Sequence, residues 1–266
     1  MLASLAGAGL LGALAWGPDL ALGRYATPAG QPAPPAASAV WSAPPTGGSV
    51  APGPDADPRP SPTAALLQAP GPVPSAGTGR FGFVREPGPV HGRSGRLHRF
   101  RVAVERGSGE DPTRFAAALD ATLGDPRGWT AGGLRLQRVA PGAAHDFTIY
   151  LATAATAGRL CAAGGVDIRI GGRPYTSCRA GGQVVLNLDR WRLSVPEFVA
   201  ARVPLERYRQ YVINHEVGHA LGHGHESCPG PGRAAPVMQT QTLGLRGCVA
   251  NAWPYLGGRR YRGPQA

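Results

Sequence analysis

Three histidines carry the sharpest chemical signal in this chain of 266 residues. They lie within His215-Glu216-Val217-Gly218-His219-Ala220-Leu221-Gly222-His223-Gly224-His225. Residues four apart on an α-helix sit one turn above each other, so His215 and His219 share a face. Two imidazoles placed in this way can hold one zinc ion, with bonds of about 2.0–2.1 Å. Glu216 stands roughly 100° around the same helix, where its carboxylate can reach a metal-activated water without being a ligand. Ile213, Val217, Ala220 and Leu221 form an apolar stripe on the opposite side, suited to packing on a sheet.

The third ligand is a choice between His223 and His225. On a straight helix His223 would be displaced from His215 by roughly 12 Å along the axis, too far for one metal. Gly222 resolves this, because glycine enters the left-handed region that ends helices at little cost. The chain can then turn beneath the metal and bring up His225. Three protein ligands leave a fourth position for water, as a catalytic zinc site requires. Farther on come Pro236-Val237-Met238, with Met238 one of two methionines in the chain, the other being Met1.

The pattern H-E-x-x-H-x-x-G-x-x-H followed by a methionine turn resembles the metzincin zinc peptidases over residues 215–238. The resemblance implies one catalytic Zn²⁺ held by His215, His219 and His225. It implies Glu216 as the general base that takes a proton from the zinc-activated water and passes it to the leaving amine, with Met238 and Gly222 as structural supports of the metal site. It implies a peptide or protein substrate. Cys228-Pro229-Gly230-Pro231-Gly232 and Asn251-Ala252-Trp253-Pro254-Tyr255 resemble, more closely, a family of exported metzincin-like proteins from actinobacteria of uncharacterised function.

Two other readings share these residues. One is a non-catalytic envelope or binding domain stabilised by zinc, against which Glu216 argues, because a structural site has no use for that carboxylate. The other is a zinc amidase acting on cell-wall peptides, which differs only in substrate. Of the remaining polar residues, His223 is expected at the exposed helix end and Tyr255 as a packing residue. His91, His98 and His145 read as ordinary surface or strand residues, and Arg259-Arg260-Tyr261-Arg262 as a solvated tail.

The elements that must position this site begin near Phe81. Phe100, Val102 and Val104 alternate with smaller or charged residues and predict a half-buried strand. Asp111-Pro112 opens a helix carrying Phe115, Leu119 and Leu123, closed by Gly124. Further strands are expected at Leu134–Leu136, Phe147–Leu151, Val166–Ile170 and Val184–Leu188, and a long helix from Pro204. Strands around one early helix, then a second helix, give an α/β or α+β domain over residues 79–266. The resemblance adds a twisted mixed sheet, a backing helix, the metal helix and a small C-terminal subdomain.

Residues 24–78 are dominated by Pro, Ala and Gly and read as a disordered linker. Within residues 1–23, the run Leu2–Trp16 is apolar or small and reads as a signal peptide or membrane anchor, with Ala13-Leu14-Ala15 as a cleavage site. Cys161, Cys178, Cys228 and Cys248 are an even set without C-x-x-C, which fits disulfides in an oxidising compartment. Pairing in sequence order, Cys161–Cys178 and Cys228–Cys248, is expected, with the two other connectivities open. The second bridge would enclose Met238 and contribute about 3 kcal/mol in the chain-entropy model. Location outside the cell, or on the outer face of its membrane, follows. The net charge of +11 is carried by arginine alone, without any lysine. It is compatible with a cell-wall or membrane surface, and no aromatic interleaving suggests nucleic acid.

Overall fold

The structure, a computed structural model, describes residues 65–266. The expected signal segment or anchor, its cleavage site and most of the linker lie outside the described residues. The described elements run in the order β1 (Phe81–Phe83), β2 (Val90–His91), β3 (Leu97–Glu105), α1 (Pro112–Leu123), β4 (Arg135–Arg138), β5 (Phe147–Ala152), α2 (Ala154–Ala163), β6 (Arg169–Ile170), β7 (Arg173–Pro174), β8 (Cys178–Ala180), β9 (Gln183–Asn187), α3 (Leu188–Leu193), α4 (Pro196–Ala200), α5 (Leu205–Ala220), β10 (Tyr255–Leu256) and β11 (Arg259–Arg260). The fold is therefore mixed α/β, as expected. No helix among the described residues is long and apolar enough to cross a membrane.

A mixed sheet in the order β2-β4-β3-β5-β9-β8 organises the rest, with β1 antiparallel to the far end of β3. β3, β5 and β9 are parallel, with Phe100 opposite Phe147 and Ile149 opposite Val184. β8 runs antiparallel at one margin. Alternation on these strands sends side chains to two faces. Val184 and Leu186 of β9 join the large core with α1 and α5, whereas Val185 joins a smaller cluster with Ala157, Cys161 and Ile168 beneath α2.

Helix α1 starts as its sequence dictates, with the Asp111 carboxylate accepting from the Arg114 amide at 2.8 Å and Pro112 in the first turn. Three expectations need correction. Val166–Ile170 is not a strand of the main sheet: only Arg169–Ile170 pairs, in a small hairpin with β7. Leu188 opens α3 rather than closing β9, because the Asn187 side chain caps the helix there through the Asp189 amide. The packed domain also begins before residue 79. Leu66 O accepts from Leu205 N at 2.8 Å, Ala69 N donates to Arg192 O at 2.7 Å, and Ser75 O accepts from Ala155 N at 2.9 Å. A proline-rich stretch builds no ladder of its own. It can still satisfy backbone groups that other elements leave free at their ends.

Glu105, at the end of β3, ties this leading segment to the sheet. The carboxylate is 1% exposed. One oxygen accepts from Gly79 N and the Thr156 hydroxyl, both at 2.7 Å; the other accepts from Thr153 N at 2.8 Å and the Thr153 hydroxyl at 2.9 Å. It thereby caps α2 from outside the helix, at the end where the dipole favours an anion. Burial alone would raise its pKa, but the bonds from Thr156, Gly79 and Thr153 outweigh burial and hold it below the ordinary value. A lowered folded pKa means that this stabilisation is complete above the ordinary carboxylate range and is lost as pH falls through the folded value. Glu105→Gln should therefore cost about 2–3 kcal/mol in urea unfolding at neutral pH. The gap between the two proteins should narrow in acid, and a gap independent of pH would refute the assignment.

Candidate metal centre

Helix α5 carries His215 and His219 on its last two turns, and Gly222, at φ 91°, turns the chain off the helix into the left-handed region. The return brings His225 back toward the helix. His219 Nε2 then lies 3.3 Å from His215 Nε2 and 3.1 Å from His225 Nε2. His223 takes no part in the cluster. Its ring stacks on Trp129 with centroids 4.3 Å apart, and its backbone carbonyl is the group that matters to the site.

Hydrogen bonds decide which nitrogens are free. His215 Nδ1 donates to Val237 O at 2.9 Å, and His219 Nδ1 donates to His223 O at 2.8 Å. A carbonyl only accepts, so both Nδ1 atoms carry the proton and both Nε2 atoms present lone pairs. Lone pairs turned on each other at such distances repel, and a cation shared among the three rings removes the repulsion. The three ligand atoms lie within 4.8 Å of one another, so the donor set fits a single metal. The lowered pKa values favour the neutral form of all three imidazoles, the form that binds metal. Burial and the neighbouring His219 push the His215 pKa down to about 3, and burial lowers those of His219 and His225. Three imidazoles suit zinc, as they suit copper, iron and nickel.

Glu216 follows His215 on the helix, is 4% exposed, and lines the same cleft of about 580 Å³ as the three histidines. Burial is the one cause acting on its carboxyl and raises the pKa to about 8. A cation held beside it would oppose that shift. The cleft is also lined by Cys178 and Arg179 of β8, whose outer margin is unpaired among the described residues.

The turn beneath the histidines works through its backbone as much as through methionine. Val237 O holds His215, and Met238 O accepts from Glu226 N at 3.1 Å, next to His225. Met238 itself is fully buried, with its sulfur against Gly218. The bond Cys228–Cys248 encloses this turn, and Cys161–Cys178 ties α2 to β8. Trp129, from a 3₁₀ turn far upstream, donates from Nε1 to Asn214 O at 2.8 Å and lies against Gly218. Sequence reasoning passed over Trp129, because nothing in its spacing links it to residues about 85 positions away. Tyr255 stands away from the cleft, its hydroxyl against Gly132. His91, His98 and His145 also stay outside the cluster.

The family described as a protein of unknown function, DUF3152, matches residues 67–252. No curated protein and no solved structure matches the chain.

Gly218 supplies a test of this packing. A Cβ there would lie 2.5 Å from the Met238 sulfur and 2.7 Å from Trp129 Cζ2. Gly218→Ala should cost about 1–3 kcal/mol in denaturant unfolding, as overpacked sites do, although alanine is the better helix former. A stabilised variant would show that the methionine turn does not press on the helix.

Proposed function

This chain belongs to the DUF3152 family, and on the geometry of its histidine cluster we propose that it is a zinc-dependent peptidase of the metzincin type, acting outside the cell or on its outer surface. The observation that carries the proposal is the convergence of three neutral imidazoles beside a buried carboxylate in one open cleft. His215, His219 and His225 would hold a single Zn²⁺. When bound, zinc supplies Lewis acidity, polarising a carbonyl and making nearby water more acidic.

The residues of the chain account for the remainder. The carboxylate of Glu216 accepts a proton from the attacking water and delivers it to the nitrogen that leaves. Its desolvated position makes it a stronger proton acceptor than a carboxylate in water. His215 and His219 keep their ligand tautomer through Val237 O and His223 O, and so do not take part in proton transfer. The margin of β8, unpaired among the described residues, offers backbone groups to an extended peptide, which would add to the sheet as a further strand across the cleft. A purely structural zinc site would be closed by four protein ligands, whereas three side chains converge in this cleft. A cell-wall amidase would use the same residues on a different peptide. Two disulfides support an oxidising, extracellular setting.

Elemental analysis of the full chain, with its disulfides formed, should find about one zinc per chain, lost in His219→Ala. No zinc under zinc-replete conditions would end this reading. Glu216→Ala should retain the metal and lose hydrolysis by roughly 10²–10⁴-fold. An active Glu216→Ala protein would remove the carboxylate from the mechanism.

A further inference from the structure

Past the third ligand, the chain makes an unusual commitment of backbone and charge to one acidic residue. Glu226 follows His225 directly and is 5% exposed. One carboxylate oxygen accepts from Arg260 Nη2 at 3.0 Å and the other from Gly263 N at 3.2 Å. Its own amide donates to Met238 O. The segment that follows Arg260 then lies along the ligand loop. Ser227 N donates to Pro264 O at 2.7 Å, Ala266 N donates to His225 O at 3.2 Å, and Glu226 bridges Gln265 in antiparallel fashion. Tyr261 anchors the same segment through its hydroxyl on Ala234 O at 2.9 Å.

Arg260 also borders the residues that support the second histidine. Its guanidinium lies 4.9 Å from the Trp129 ring centroid. Trp129 in turn stacks on His223, whose carbonyl fixes His219 Nδ1. One arginine thus borders the supports of two of the three histidines. Both members of the ion pair are nearly buried, with side chains 11% and 4% exposed, so water screens the pair little.

We propose that Glu226, Arg260 and the segment 263–266 are positioning elements of the metal centre. They form a strap that holds His225 in register with His215 and His219, and they set the affinity for zinc rather than merely the stability of the fold. The proposal rests on the zinc reading above. Residues around first ligands are known to change metal affinity by roughly 10–100-fold when removed. The family match ends at residue 252, so Arg260 and residues 263–266 lie beyond it, whereas their partner Glu226 lies within it.

The test compares zinc affinity, by chelator competition on the full chain, with unfolding of the same proteins stripped of metal. Arg260→Ala and Glu226→Gln should weaken zinc binding about 10–100-fold. Arg260→Lys should recover part of the loss, because it keeps the charge and loses the planar fork. A gentler variant guards against misfolding. A Cβ on Gly263 would collide with Ser227 O and approach Pro236 Cγ to 2.7 Å, so Gly263→Ala should lift the strap while the core stays intact. It should lower zinc affinity, alter the visible spectrum of the cobalt-substituted protein, and leave the metal-free protein's unfolding midpoint close to native. Variants that lose stability yet bind zinc as tightly as the native chain would overturn the strap and leave the zinc site standing. A native chain that takes up no zinc would overturn both.

Discussion

The hydrogen bond from His215 Nδ1 to Val237 O is the constraint around which the centre is built. It joins helix α5 to the turn that carries Met238, and it does so at one of the three clustered histidines. Removing it would free the ring to rotate and would unfix its tautomer, so that the lone pair at Nε2 would no longer be assured. The apolar stripe of α5 supplies the other half of the arrangement, because Ile213 and Val217 are buried on the opposite side and leave the helix no freedom to roll. The centre is therefore positioned between a packed helix face and a backbone carbonyl.

Much of this was legible in the residues themselves, and for a physical reason. Ligands on one helix are a fixed number of residues apart, and a turn that ends the helix needs glycine, so His215, His219 and Gly222 announce a local geometry. The same holds for α1, whose Asp111-Pro112 start and Gly124 end are short-range signals. What escaped the sequence reading depends on partners far along the chain. Helix α2 is made largely of alanine and other small residues and lacks a contrasting apolar stripe; its end is capped by Glu105 from another strand. β8 is three residues long and exists because β9 lies beside it. Arg259-Arg260-Tyr261-Arg262 reads in sequence as a solvated tail, because the Arg260–Glu226 ion pair across 34 residues has no signature in spacing.

The abundance of arginine also reads differently in three dimensions. Several guanidinium groups lie over aromatic rings: Arg127 at 4.2 Å from Trp253, Arg209 at 4.3 Å from Trp191, and Arg190 at 4.2 Å from Tyr175. A planar, weakly hydrated cation suits such stacking better than an ammonium does. Part of the positive charge is thus built into the packing, and a sequence-level count overstates what is offered to an anionic partner.

The leading segment has a mechanical consequence. It meets the domain beside Leu205, at the first turn of α5, and beside Arg192 at the end of α3. His215, the first of the clustered histidines, is ten residues farther along the helix, a rise of roughly 15 Å. Tension arriving through the residues before 65 would be taken up by hydrogen bonds at that end of the helix, and by Glu105 where the segment joins the sheet. The loop that carries His225 hangs from the other end of α5 and is tied to a different part of the chain. The domain could be tethered and pulled without distorting the three histidines.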